Sequence, residues 1–206
     1  MLKTSLFDFL KDLKQNNDRE WFKANKSRYE TEVKEPCLEL IEAIEEELDG
    51  PYEGSLFRIH RDTRFGADKT PYKTHAGVHF RHRAGKDVHA PGYYLHLEPG
   101  SVFMAVGVWQ PDPPALARIR EAIQAWPQRW ATAKEGVVLG GESLKRAPKG
   151  VDPDHPLIED LKRKEFITSE ASNEKVAVRP DFAQVFLDYS RRTAPLTAFL
   201  AEALKL

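Results

Sequence analysis

GYYLHLEPGSVFMAVGVW, residues 92–109, decides the fold. Tyr93, Leu95 and Leu97 alternate with Tyr94, His96 and Glu98, the period of two expected of a strand with one covered face. Pro99-Gly100 supplies a turn, and residues 101–109 are then apolar on both faces, as a central strand is. Upstream, HAGVHFRHR (75–83) sets Ala76, Val78 and Phe80 against His75, His79, Arg81 and Arg83, after which Ala84-Gly85-Lys86-Asp87 can turn the chain. Earlier still, Phe57 and Ile59 alternate with Arg58 and His60, which predicts a first strand from residue 56. Four strands with short connections imply a mainly antiparallel sheet over about residues 56–109.

Helical spacing frames this run on both sides. Leu6, Phe9, Leu10 and Leu13 follow a capping-box-like pair, Ser5 and Asp8. Asn17 and Glu20 repeat that signature before an apolar stripe from Trp21 to Leu48, in which Pro36 is expected to kink or break the helix. Asp112 ahead of Pro113-Pro114 opens another helix, carrying Leu116, Ile119, Ile123 and Trp126. Residues 136–156 are rich in glycine and proline and read as a loop, and FITSEAS (166–172) reads as a further strand. Phe182 to Tyr189, then Leu196 to Leu204 past Pro195, give closing helices. Helices at both ends of an uninterrupted run of strands indicate α+β, with residues 1–206 as a single domain.

Composition agrees with a water-soluble globule. The chain is 41% apolar and 31% charged, which excludes wholesale disorder, and no segment approaches the roughly 18 apolar residues of a membrane span. Asp8, Lys11 and Asp12 interrupt any secretory signal, so the cytoplasm is the expected location. The one cysteine, Cys37, lies in the apolar stripe and reads as buried and inert. Net charge is −1 but is unevenly spread: residues 1–50 hold eight basic and thirteen acidic side chains, whereas 56–89 hold eight basic, three acidic and five of the seven histidines. Either these regions neutralise each other across the fold or the second attracts an anion.

Three stretches, FLKDLKQNNDREWFKANKSRYE (9–30), FRIHRDTRFGADKTPYKTH (57–75) and LKRAPKGVDPDHP (144–156), together resemble the bacterial family termed domain of unknown function 2461. The resemblance spans nearly the whole chain. It departs at Gly66-Ala67, where the family pattern has a serine followed by a polar residue. It implies one domain and supplies no activity, cofactor or catalytic residue.

Function must therefore be read from the residues. Arg58, Arg61, Arg64, Lys69 and Lys73 crowd one segment, and guanidinium and ammonium groups suit phosphate or carboxylate oxygens. Asp62 and Asp68 can brace the arginines instead, but two aspartates cannot neutralise five cations. The segment is thus expected to form one wall of a pocket, anchored by Phe65 and Tyr72. Arg58, His60, His79, Arg81, Tyr94, His96 and Glu98 can share a sheet face, which is either a solvated exterior or a site where Asp62, His79 or His96 transfers protons. Lys145 and Lys149, with Tyr72 and Tyr94, complete the candidate ligand contacts. Trp21, Trp109, Trp126 and Trp130 can stack on bases, although Trp21 and Trp126 sit in helical stripes that suit core packing. No HExxH or CxxC is present, and His79 and His82 fall on opposite strand faces, so spacing favours no metal. The expected partner is a phosphate-containing small molecule acted on or bound by the domain. The alternative is a non-catalytic module docking an acidic protein or nucleic acid, for which a flat basic surface replaces a cleft.

Overall fold

The computed structural model describes residues 1–64, 67–85 and 90–206. Five strands, β1 (Tyr52–Leu56), β2 (Ala76–His82), β3 (Gly92–Glu98), β4 (Ser101–Val108) and β5 (Phe166–Ser172), lie side by side in chain order, every neighbour antiparallel. The β3–β4 turn is Pro99-Gly100, with Gly100 at φ +81°, the second central position of a type II turn. The fold is α+β, with helices before and after the sheet packed on one of its faces.

That covered face follows from the alternation. Val78, Phe80, Leu95, Leu97, Val102, Met104 and Val106 point into a cluster closed by the helix Glu35–Glu45 and the long helix Phe182–Leu204. Phe80 meets Phe186 at 5.1 Å between ring centres. Tyr93, also buried, donates from its hydroxyl to the Ser190 carbonyl at 3.3 Å and so ties the sheet to the last helix. Among the described residues no helix is long and apolar enough to cross a membrane.

Several local expectations are corrected. The first strand is residues 52–56, so Arg58 and His60 do not join the sheet face. Residues 59–61 pair instead with 71–73: Arg61 N–H donates to Pro71 at 2.9 Å, Lys73 N–H to Ile59 at 2.8 Å, and His60 bridges Tyr72. This arm buries Ile59, which gives it a strand-like pattern outside the sheet. The first helix begins at Thr4 with no side-chain cap, and the next is capped by Asp18, whose carboxylate accepts from Trp21 N–H at 2.9 Å. Pro36 does not end its helix; a π-helical stretch, Tyr29–Lys34, leads continuously into Glu35–Glu45, so the expected disturbance takes the form of a change from π to α winding just before the proline. Pro195 lies inside one continuous helix. Thr193 and Thr197 hydroxyls there donate to the Tyr189 and Ala194 carbonyls. Trp126 is 39% exposed, and Trp130, at 0%, takes the core position. Cys37 is buried, its thiol pushed up to about 12 by burial.

Candidate functional site

The uncovered sheet face carries a cavity because small residues meet there. Gly92 pairs with Gly107, Gly107 with Ile167, and Tyr94 with Ala105. A Cβ on Gly92 would approach the Phe80 carbonyl to 2.4 Å, and Gly107, at φ +126°, would meet the Phe166 carbonyl at 1.9 Å. Both positions therefore require glycine. Over this floor the arm brings Phe57 and Lys73, β2 brings His79, the approach to β2 brings His75, and Phe103 and Trp109 flank β4. The volume of this open cavity is about 550 Å³.

A clamp holds the arm over the floor. Asn17 donates from Nδ2 to the Tyr72 carbonyl at 3.0 Å and accepts from Tyr72 N–H at 3.1 Å, while the Tyr72 ring stacks on Phe22 at 4.1 Å. Tyr72 is thus an anchor and not a cavity contact. Phe65, the other expected anchor, lies outside the described residues, as do Gly66 and residues 86–89.

The polar groups on the walls are desolvated. His79 is 7% exposed, burial and the charge of Arg81 push its imidazole down to about 4, and its Nδ1 finds no hydrogen-bond partner among the described residues. Burial, followed by repulsion from Arg58, lowers Lys73, whose Nζ lies 5.3 Å from the Phe57 ring centre. Burial, then His96, brings His75 down to about 4. Tyr94 is pushed up to about 12, by burial first and Glu98 second. Its hydroxyl contacts His96 Nδ1 at 2.9 Å, and His96 Nε2 faces Glu98 Oε2 at 3.3 Å. Gly77 makes room for this chain, since a Cβ there would stand 2.8 Å from the Tyr94 hydroxyl oxygen.

The other expected contacts separate from this group. Arg61 pairs with Asp68 and donates to Thr70 Oγ1 at 2.8 Å, Arg64 pairs with Asp62 at 2.7 Å, and Lys69 donates to the Thr63 carbonyl at 2.8 Å. Asp62 is a brace held ionised by Arg64, far below the range of a proton-transfer group, and does not line the cavity. Arg58 is exposed, as are Lys145 and Lys149 on the loop before the short helix Ile158–Leu161. Of the expected site residues, Lys73, His79 and Tyr94 converge on the cavity, with His96 one hydrogen bond behind.

Sequence spacing missed His75 as a site residue and, with it, a cluster. His75, His96 and Glu98 each offer a ligand atom within 4.8 Å of the others, a grouping that spacing along single strands does not show. The signal was the register: Ala76 pairs with Leu97 and Gly77 with His96, so continuing the ladder by one residue sets His75 beside Glu98. A motif scan along one strand cannot see ligands contributed by two.

No curated protein and no solved structure is matched by this chain. Residues 5–199 match the family described as conserved hypothetical protein (DUF2461), and with nearly the whole fold inside that match the chain belongs to the DUF2461 family.

Proposed function

We propose that the open-face cavity binds a small organic anion, a carboxylate or phosphate ester with an apolar or aromatic body, and that neutral polar groups on its walls hydrogen-bond that ligand. The observation that carries this reading is a partly desolvated cation, Lys73, and a buried imidazole, His79, whose Nδ1 lacks a hydrogen-bond partner among the described residues, in an otherwise largely apolar cavity. Burying an unpaired polar group is costly, and a ligand that pairs both recovers the cost. Phe57, Phe103 and Trp109 offer faces to the ligand body. With His79 lowered to about 4 it is neutral at pH 7, and Tyr94, raised to about 12, stays protonated, so both meet a ligand as uncharged hydrogen-bonding groups. The proposed anion contact is Lys73. Arg61, Arg64 and Lys69 have partners within the arm, which favours the cavity over a basic docking surface for nucleic acid or an acidic protein.

The test is ligand-induced thermal stabilisation with aromatic carboxylates, sugar phosphates and nucleotides. The parent is expected to be stabilised by at least one class, with Lys73→Ala lowering its affinity about 10- to 100-fold, as loss of a charged hydrogen bond does. Ala105→Phe, which fills the floor, is expected to abolish it while leaving the fold intact. An anion that binds equally well to the parent, Lys73→Ala and Ala105→Phe would place the site elsewhere.

A further inference from the structure

The geometry points to a binding site for one divalent first-row transition ion, of the zinc class, held by His75, His96 and Glu98 at the edge of the cavity. Three ligands of two imidazoles and one carboxylate suit such an ion and are a poor match to calcium or magnesium, which prefer all-oxygen shells. Metal bonds of 2.0–2.1 Å at a tetrahedral angle set neighbouring ligand atoms about 3.3–3.4 Å apart. His96 Nε2 and Glu98 Oε2 already stand 3.3 Å apart, so an ion can replace the proton between them with little movement. His75 closes the third side, its ring centre 4.5 Å from that of His96.

The atoms behind the ligands are arranged for the same role. His96 must present Nε2, and Tyr94 holds its Nδ1 through the hydroxyl at 2.9 Å, while Phe103 stacks on the ring at 4.7 Å and fixes its plane. Glu98 must present one oxygen; its Oε1 accepts from Thr74 Oγ1 at 3.3 Å and faces Lys14 Nζ at 4.0 Å, leaving Oε2 toward His96. Outer partners of this kind orient metal ligands and set their basicity. His75 also lines the cavity, so the coordination positions that protein leaves open face the space where a ligand would lie. An ion there, with Lys73 on the same cavity, adds positive charge toward an anion.

This site stands independently of the organic ligand proposed above, and separate variants distinguish them. The experiment is equilibrium dialysis and calorimetry of the tag-free full chain with Zn²⁺, and absorption spectroscopy with Co²⁺, whose visible bands report tetrahedral nitrogen and oxygen ligation. One ion per chain is expected. His75→Ala and Glu98→Ala are each expected to weaken it at least 100-fold, and Tyr94→Phe about 10-fold, while Lys145→Ala, on an exposed loop that does not line the cavity, leaves it unchanged. Circular dichroism melts establish that the variants are folded; should Glu98→Ala fail to fold, Glu98→Gln serves in its place. Stoichiometry well below one, or affinity unaltered in folded His75 and Glu98 variants, overturns the site. So does loss of binding in His155→Ala, which would assign the ion to an unrelated surface histidine.

Discussion

On the helix-covered side of the sheet, Val78, Phe80, Leu95 and Leu97 are each 0% exposed and every neighbour fills the space beside them. On the other side the residues between them, Gly77, His79, Tyr94 and His96, meet glycines, an alanine and an arm of the chain, and a cavity results. The same β2–β3 ladder builds both. One face was filled with the largest side chains that fit, and the other left small residues in the middle and desolvated polar groups at the rim. Packing alone gives no reason for the second arrangement, since each unpaired buried polar atom costs stability that an apolar residue would not. The difference separates what holds the fold from what the fold holds.

The sharpest way to break this comparison is to truncate one phenylalanine on each face. Phe80→Ala removes a fully buried ring packed on Phe186 and is expected to cost about 3–5 kcal/mol, from lost transfer energy and the void left behind. Phe103→Ala, half-buried at the cavity, is expected to cost about 1 kcal/mol, since its ring already borders open space. Urea unfolding of the two variants measures both. Equal losses would mean that the open face is as much a packed core as the other.

How much of this contrast the sequence disclosed depends on the range over which each pattern acts. The alternation in β2 and β3 was legible because those strands pair without a bulge, so period-two patterns in the chain became faces in space, whereas β4, apolar on both faces in the chain, shows its alternation only in burial. β1 was not: YEGSL has one buried side chain, Tyr52, and owes its strand to the β2 edge beside it. Arg58 to His60 alternates as well as any strand, but its partner is Pro71 to Lys73, and a local pattern cannot distinguish a sheet from a two-stranded arm. The crowding of five cations was visible, and so was the shortage of aspartates. What could not be read is that Asp62 and Asp68 take Arg64 and Arg61, that a carbonyl takes Lys69, and that Lys73 alone of the five lines the cavity. The grouping of His75, His96 and Glu98 escaped for a related reason: its members come from β3 and the approach to β2 and are set side by side by register alone.

A second test sharpens the comparison through pH. His79 is pushed down to about 4 in the fold, against an unfolded value near 6.5, so between these values the unfolded chain binds more protons. Stability contributed by the neutral imidazole is fully present above about pH 6.5, falls as pH drops toward about 4, and levels off below. The groups around the ring are Arg81 on its own strand, Tyr94 across from it and Phe57 from the arm; the arginine and burial both act against protonation. His79→Phe keeps an aromatic ring on Phe57 and cannot titrate. Between pH 6.5 and 4 the parent is expected to lose about 1–3 kcal/mol more than this variant, measured by denaturant unfolding at each pH. Parallel curves would show that the ring is hydrated and that the open face is an ordinary solvated exterior.

The smallest expected effect concerns the arm itself, where Arg61→Ala asks whether the cations away from the cavity hold the fold or only their own loop. Arg61 is 36% exposed and its partner Asp68 54%, and Asp68, brought down to about 2, owes that first to Thr70 N–H and the Thr70 hydroxyl and only then to Arg61. A pair so exposed is screened by water, and removing one member is expected to cost less than about 1 kcal/mol of global stability. The clamp between Asn17 and Tyr72 and the stacking of Tyr72 on Phe22 lie at the base of the arm, beyond the reach of the substitution. The effect should therefore be local: faster hydrogen exchange at Thr70 N–H, which Asp68 holds, with Lys73 N–H, bonded to Ile59 at 2.8 Å, unchanged. Because Lys73 keeps its position on the cavity wall, ligand affinity should stay within about threefold of the parent. Global unfolding of Arg61→Ala would make the basic segment a structural strut of the whole domain. It would also remove the distinction between an arm that positions Lys73 and a core that does not depend on it.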